Sequence, residues 1–171
     1  LAKGDPCRLM AVMGLVTAFV SMMVDNVTTI VLVAPITIIM ADIMAISPLP
    51  TLMTEVLLSN IGGVATMIGD PPNMIIASAS GYTFNMFIVK LFPIIIAVMI
   101  VSLLVLRFVI AKDLARKPRN VEAIMTIDER QVLKDIKVLR KCLLSLVVVL
   151  VLFFLQEQMS LSPAFVALLG A

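Results

Sequence analysis

The chain has no histidine and no tryptophan, one tyrosine, two cysteines, and only 14% charged residues among its 171. Each shortage removes a class of function. Without histidine the side chain that most readily titrates near neutral pH is gone, so proton chemistry would fall to carboxylates. Cys7 and Cys142 build no disulfide framework, and the 13 methionines have no cysteine or histidine beside them at metal-ligand spacing. A soluble domain carries about a quarter charged residues, too many to match this chain. What is abundant is apolar: 61% of residues are hydrophobic and the mean hydropathy is +1.15. The composition implies an all-α integral membrane protein. The first residue is not Met and the last run is apolar, so the sequence reads as a fragment.

The few charges are unevenly placed. Nine of the 13 Lys and Arg lie between positions 112 and 141, and Lys3 and Arg8 sit near the start. By the positive-inside rule, 111–141 is a cytoplasmic basic linker. Within it Thr126-Ile-Asp-Glu129 has the form of a capping box, and Val132, Leu133, Ile136 and Leu139 recur at helical spacing between basic residues. That pattern suits an amphipathic helix on the membrane surface, with a soluble packing helix as the alternative. Asp42, Glu55 and Glu157 fall near the ends of apolar runs and read as interfacial.

The apolar runs define the rest. Residues 9–24 are shorter than the roughly 20 a spanning helix needs. The polar cluster Asp25-Asn26-Val27-Thr28-Thr29 follows, then a second short run at 30–40. Together, about 9–45, they read as a re-entrant helical hairpin whose tip ends inside the membrane. Two short spanning helices with an external turn are the alternative, and the charge topology closes equally for both. Ser47-Pro-Leu-Pro50 is a turn. A broken transmembrane helix is expected at about 52–77, a polar loop at 78–85, and a spanning helix at about 86–110 with Pro93 inside it. Residues 143–155 begin a further membrane helix, 156–162 a short loop, and Pro163 opens the next helix.

Two segments carry candidate chemistry. The first is the tip. A carboxylate at bilayer depth is costly, which makes Asp25 a functional candidate by default; it offers a hard oxygen to a small cation or an acceptor to a proton. Asn26 adds an amide, and Thr28 and Thr29 add hydroxyls. The plainer reading is a helix cap, a common role for Asp and Asn. The second segment is Ser59-Asn-Ile-Gly-Gly-Val-Ala-Thr-Met-Ile-Gly-Asp-Pro-Pro-Asn73. Irregular backbone at membrane depth survives only beside protein or a watery cavity, and such breaks mark transporter binding sites. Gly62 and Gly63 allow backbone carbonyls to approach an ion, and Ser59 and Thr66 supply oxygens. Asn60 braces the break, and Asp70 and Asn73 stand where the helix restarts. Asp70 is equally a cap there, and close helix packing through small residues is the alternative for the whole segment. Enzyme motifs are absent: there is no Gly-x-Gly-Asp with a Tyr-Asp partner, no Gly-x-Ser-x-Gly, no His-Glu-x-x-His and no phosphate loop.

Asp25-Asn-Val-Thr-Thr-Ile-Val-Leu-Val-Ala-Pro35 and the 59–73 segment resemble the ion transporter superfamily. The nearest branch is that of arsenite permeases, NhaD sodium–proton antiporters and the pink-eyed-dilution P protein; the divalent anion:sodium symporters are more distant. The likeness covers almost the whole chain. It implies an inverted-repeat transporter whose hairpin tip and broken helix meet near the membrane midplane. By it, residues 1–110 are a first repeat, 111–141 the linker and 142–171 the start of a second repeat. The symporters carry Ser-Asn-Thr at the tip, so Asn26 carries over while Asp25 replaces a serine and favours a cation or proton over a dicarboxylate. Gly62, Gly63 and Thr66 match the family's break, and Asp70 is typical of the permease branch.

The expected function is secondary active transport of a small inorganic or organic ion by alternating access. Na⁺ or H⁺ is the coupling ion and no other cofactor is expected, with Na⁺ held by Asp25, Asn26, Gly62 and Thr66. A passive channel or a non-transporting scaffold subunit is the alternative. Expected partners are the lipid bilayer, a small ion substrate and the second repeat of the same polypeptide, with a homodimer open and no nucleic acid. The expected location is a prokaryotic plasma membrane, crossed several times.

Overall fold

A computed structural model describes residues 5–114 and 136–159, and all of its regular structure is helical. Six helices follow in order: α1 (Pro6–Ser21), α2 (Asn26–Met44), α3 (Leu49–Gly63), α4 (Pro71–Ser80), α5 (Phe84–Leu114) and α6 (Ile136–Met159). Their boundaries have local causes. Asp5 caps α1 by accepting from the Cys7 N–H at 3.0 Å, and proline fills the first turn. Helix α2 ends at Ala45, whose φ of 53° turns the chain out of the helix. Pro48 precedes α3, and α4 starts on the Pro71–Pro72 pair and stops at Gly81, φ 64°.

The packing register fixes the direction of each helix. Helix α1 packs chiefly on α3. A Cβ at Gly14 would meet Leu58 and Thr54, one at Gly62 would meet Ala18, and the Thr66 hydroxyl donates to the Met22 carbonyl. Later residues of α1 thus face later residues beyond α3, so the two helices run the same way. Helix α2 must then bring the chain back, because only the turn from Ala45 to Pro48 joins it to the start of α3. The start of α1 and the end of α2 therefore lie at the same end of the molecule.

Helix α5 is a ruler for depth. Phe84 and Phe87, near its beginning, join Met67 and Ala77 in one buried cluster. Leu106 and Ile110, near its far end, pack on Met10 of α1. Between them Ile95 packs on Met22 and Ala65. At 1.5 Å per residue, Ile95 lies roughly 17 Å from one end of the apolar stretch Phe84–Ile110 and roughly 22 Å from the other. The α1–α2 tip and the α3–α4 break meet beside the middle of α5. Helix α6 lies against its beginning, with the Phe84 and Phe154 rings edge to face at 5.2 Å.

Among the described residues two helical stretches, Asn26–Met44 and Phe84–Ile110, are long and apolar enough to cross a membrane. Several boundaries differ from those read in the sequence. The loop expected at 78–85 is shorter, because α4 continues through Ser80 and α5 begins at Phe84. The loop expected from 156 is helical through Met159: Gln and Glu are good helix formers, so polarity alone does not end a helix. Residues 136–141, expected in the linker's surface helix, are the first turns of α6. The rest of that amphipathic helix, the capping box at Thr126 and the helix opening at Pro163 lie outside the described residues.

Candidate ion site where the hairpin tip meets the broken helix

Three polar segments converge at the joint. The end of α1 brings Ser21, the start of α2 brings Asn26, and the last turns of α3 bring Ser59 and Asn60. Around the Ser21 Oγ lie the Asn26 Oδ1 at 2.6 Å, the Ser59 carbonyl oxygen at 2.8 Å and the Ser59 Oγ at 3.1 Å. The Ser59 Oγ is also 3.4 Å from the Asn26 carbonyl oxygen. The amide of Asn26 is oriented from outside: the Asn60 Nδ2 donates to the Val56 carbonyl at 3.1 Å, so its Oδ1 accepts from the Asn26 Nδ2, also at 3.1 Å. That leaves the Asn26 Oδ1 turned inward, toward Ser21. Two hydroxyl protons are then available for these oxygen–oxygen contacts. The cluster is richer in acceptors than in donors, which suits a small cation.

Ser21 and Ser59 are both fully buried, while Asn60 is exposed. Above the cluster opens a cavity of about 340 Å³ lined by Asn26, Val27, Ile30, Val31, Val56, Ser59 and Asn60. Its walls are apolar and its floor carries two amides, the usual make-up of a small-molecule site.

The break itself is a bonded joint. The Thr66 hydroxyl ties it to the tip by donating to the Met22 carbonyl, and accepts from the Gly69 N–H at 3.1 Å. Buried Asn73 reaches back with its Nδ2 to the Gly63 and Thr66 carbonyls, at 2.9 and 2.8 Å. The Gly62 carbonyl accepts from the Ala65 N–H at 2.9 Å. Glycine is required at both positions: a Cβ on Gly62 would lie 2.8 Å from the Ala18 Cα and carbonyl carbon, and one on Gly63 would lie 3.0 Å from the Gly69 carbonyl oxygen and strike the Asn26 Oδ1. The Gly62, Gly63 and Thr66 carbonyls, expected as ion ligands, each already hold an internal hydrogen bond and have one lone pair left.

The remaining candidates are placed differently. Asp25 is the N-cap of α2: its Oδ1 accepts from the Thr28 N–H at 3.0 Å and its Oδ2 from the Thr28 hydroxyl. Asp25 and Thr28 thus bond to each other, and the hydrogen bonds of the Ser21 cluster are made without them. The Thr29 hydroxyl donates to the Val24 carbonyl at 3.4 Å and holds the tip's own turn. Asp70 stands at the N-cap position of α4, but its side chain makes no capping hydrogen bond. Two residues were missed in the sequence. Ser21 is one of two hydroxyls, with Thr17, in the apolar run at 9–24; its place one helical turn before Asp25 was the available signal. Glu55, read as interfacial, is fully buried between α2 and α3. Asp42, read the same way, is exposed.

Comparison with known proteins now decides the family. The citrate transporter family profile matches residues 1–171. The chain belongs to the citrate transporter family. A 46 kDa membrane protein of Mycobacterium leprae is 41% identical over 99% of this chain and 40% of its own length. An uncharacterized transporter of Mycobacterium tuberculosis (strain H37Rv) is 40% identical over the same shares. The P protein of Homo sapiens is 39% identical over 52% of this chain and 12% of its own. No solved structure gives a significant match. The family's description is that of a transporter, and relatives from Mycobacterium tuberculosis carry transporter names. The chain spans about 40% of the length of the mycobacterial relatives it matches.

Proposed function

We propose that the whole protein is a secondary active transporter that moves a small ion by alternating access, coupled to Na⁺ or H⁺, and that this chain supplies half of its site. The observation that carries the reading is the meeting of tip and break beside Ile95, midway along the longest apolar helix. With the start of α1 and the end of α2 at one end of the molecule, the hairpin enters and leaves the membrane on the same face. The basic linker makes that face cytoplasmic, and the protein crosses the membrane several times.

In this reading the Ser21, Asn26 and Ser59 oxygens are the core of a coupling-ion site. Gly62, Gly63 and Thr66 hold it in shape and offer their remaining lone pairs. The Asp25 charge, one residue from Asn26, favours a cation electrostatically even while its oxygens cap α2. Asp70 and Asn73 shape the far side of the break. The substrate sits in the cleft above Asn26 and Asn60, closed by the remaining part of the polypeptide. The family description makes citrate the first substrate to try.

The test is counterflow in proteoliposomes of the full-length protein, with labelled citrate and labelled sodium as probes. Wild type is expected to exchange at least one of them and to accumulate it uphill when an ion gradient is imposed. Asn26→Ala removes the inward oxygen, and losses of roughly 5- to 150-fold correspond to the ~1–3 kcal/mol of one lost polar partner. Flux that never runs uphill would instead mark a passive channel.

A further inference from the structure

Glu55 is the one carboxylate that the ion site does not use and that the described fold buries completely. Its Oε1 accepts from the Thr37 hydroxyl of α2. Its Oε2 is buried and has no hydrogen-bond partner among the described residues. An ionised carboxylate with one hydrogen bond, shut away from water, is costly, and such a group lowers the cost by holding a proton.

Among the described residues the surroundings offer no compensating charge. On α3 no other side chain titrates, and on α2 the nearest titratable group, Asp42, is exposed. On α1 the cation is Arg8, which pairs with Asp5 at 3.6 Å. On α5, Lys90 bonds the Tyr82 hydroxyl at 2.9 Å, and Arg107 lines a separate pocket with Arg8 and Asp5. At the tip, Asp25 is engaged by Thr28. None of these groups bonds to Glu55.

We propose that Glu55 is a proton-carrying site of the transport cycle, separate from the Asn26 cluster and linked to it through α3. Ser59, a ligand-side residue of the cluster, lies one helical turn from Glu55 on the same face of α3. Thr37, which holds the carboxyl, belongs to the arm of the hairpin that starts at Asn26. A carboxyl wedged between these helices exchanges its proton with water only when α2 and α3 part. On parting, the O–H bond of Glu55 breaks, the proton passes to solvent on the open face, and the exposed carboxylate becomes hydrated. On the other face the same steps run in reverse. Proton release is thereby tied to hairpin position.

This inference rests on the transporter reading, and two readouts separate their failures. In proteoliposomes of the full-length protein, counterflow of labelled citrate and labelled sodium at equal pH reports exchange, and accumulation under an imposed pH gradient reports coupling. Glu55→Gln keeps the shape and the acceptor for Thr37 but cannot release a proton. It is expected to retain counterflow and to lose roughly 5- to 150-fold of pH-driven accumulation, the range typical of coupling energies, while Glu55→Asp recovers part of it. A Glu55→Gln protein that answers the pH gradient as wild type does would overturn the proposal, because a purely structural glutamate tolerates this change.

Infrared spectroscopy of the full-length wild type covers the case in which Glu55→Gln fails to assemble. A protonated-carboxyl C=O stretch is expected at neutral pH, shifted by Thr37→Val; a band that Thr37→Val leaves in place, or no band, overturns the proposal. Absence of uphill transport in wild type, with the shifted band present, contradicts the transporter reading and with it the coupling role.

Discussion

The tip–break joint and helix α5 touch at Ile95, yet they are built by opposite means. Helix α5 is a long apolar rod with most of its side chains exposed in this chain, Phe108 by 79%, and it satisfies its backbone internally. The joint is short, irregular and buried, and it satisfies its backbone with Asn73, Thr66 and two glycine approaches. A rod of this kind tolerates change wherever it faces lipid. A joint of this kind tolerates almost none, and the oxygens it gathers are the ones available to an ion. In the proposed transporter the difference separates the part that spans from the part that binds the ion.

Substitutions can break or sharpen that contrast. The largest effect is expected at Gly62: Gly62→Val drives side-chain carbon into the Ala18 backbone and should cost more than the ~1–3 kcal/mol of ordinary overpacking, read as loss of folded full-length protein in detergent. Asn73→Leu comes next. It strands the Gly63 and Thr66 carbonyls, and ~1–3 kcal/mol for a buried unsatisfied group should appear as a lower thermal midpoint with weakened counterflow. A normal midpoint would mean that the break does not depend on the asparagine clamp.

Asp25→Ala should be milder, near the ~1 kcal/mol of a lost helix cap, and should leave counterflow within a few-fold of wild type. If it instead abolishes exchange as Asn26→Ala does, the carboxylate is a direct ligand and leaves Thr28 when the ion binds. The smallest effect is expected on the rod: Val109→Leu should stay within ~0.5 kcal/mol, as surface changes usually do. A clear loss of stability there would show that protein, and not lipid, covers that face of α5.

Much of this was legible in the sequence because polar residues stand out against an apolar background. Asn26, the glycine pair and Asn73 announce themselves where the hydrophobic runs stop, and the order of the described helices follows from those runs. Ser21 and Glu55 did not, for a shared reason. Each takes its meaning from a partner distant in sequence, Ser59 for one and Thr37 for the other, and burial by α1 and α2 is a tertiary fact. Glu55 lies close after the Pro48–Pro50 turn, where a carboxylate ordinarily sits at an interface, and its enclosure against Thr37 of α2 shows only in the folded chain. The continuation of helix through Ser80 and through Met159 escaped because polar residues continue a helix as readily as they leave one.

The central claim is that the tip ends at mid-depth, facing an ion, and does not surface on the far side. Val27, beside Asn26, is 73% exposed in this chain and its side chain is apolar, so Val27→Cys probes the tip without dismantling it. In the full-length protein with its other cysteines replaced, labelling by a membrane-impermeant thiol reagent should proceed from one face at a time and slow when Na⁺ or substrate is present. Rapid labelling from the external face in every condition, untouched by ion or substrate, would contradict the account and leave α1 and α2 as an ordinary spanning pair.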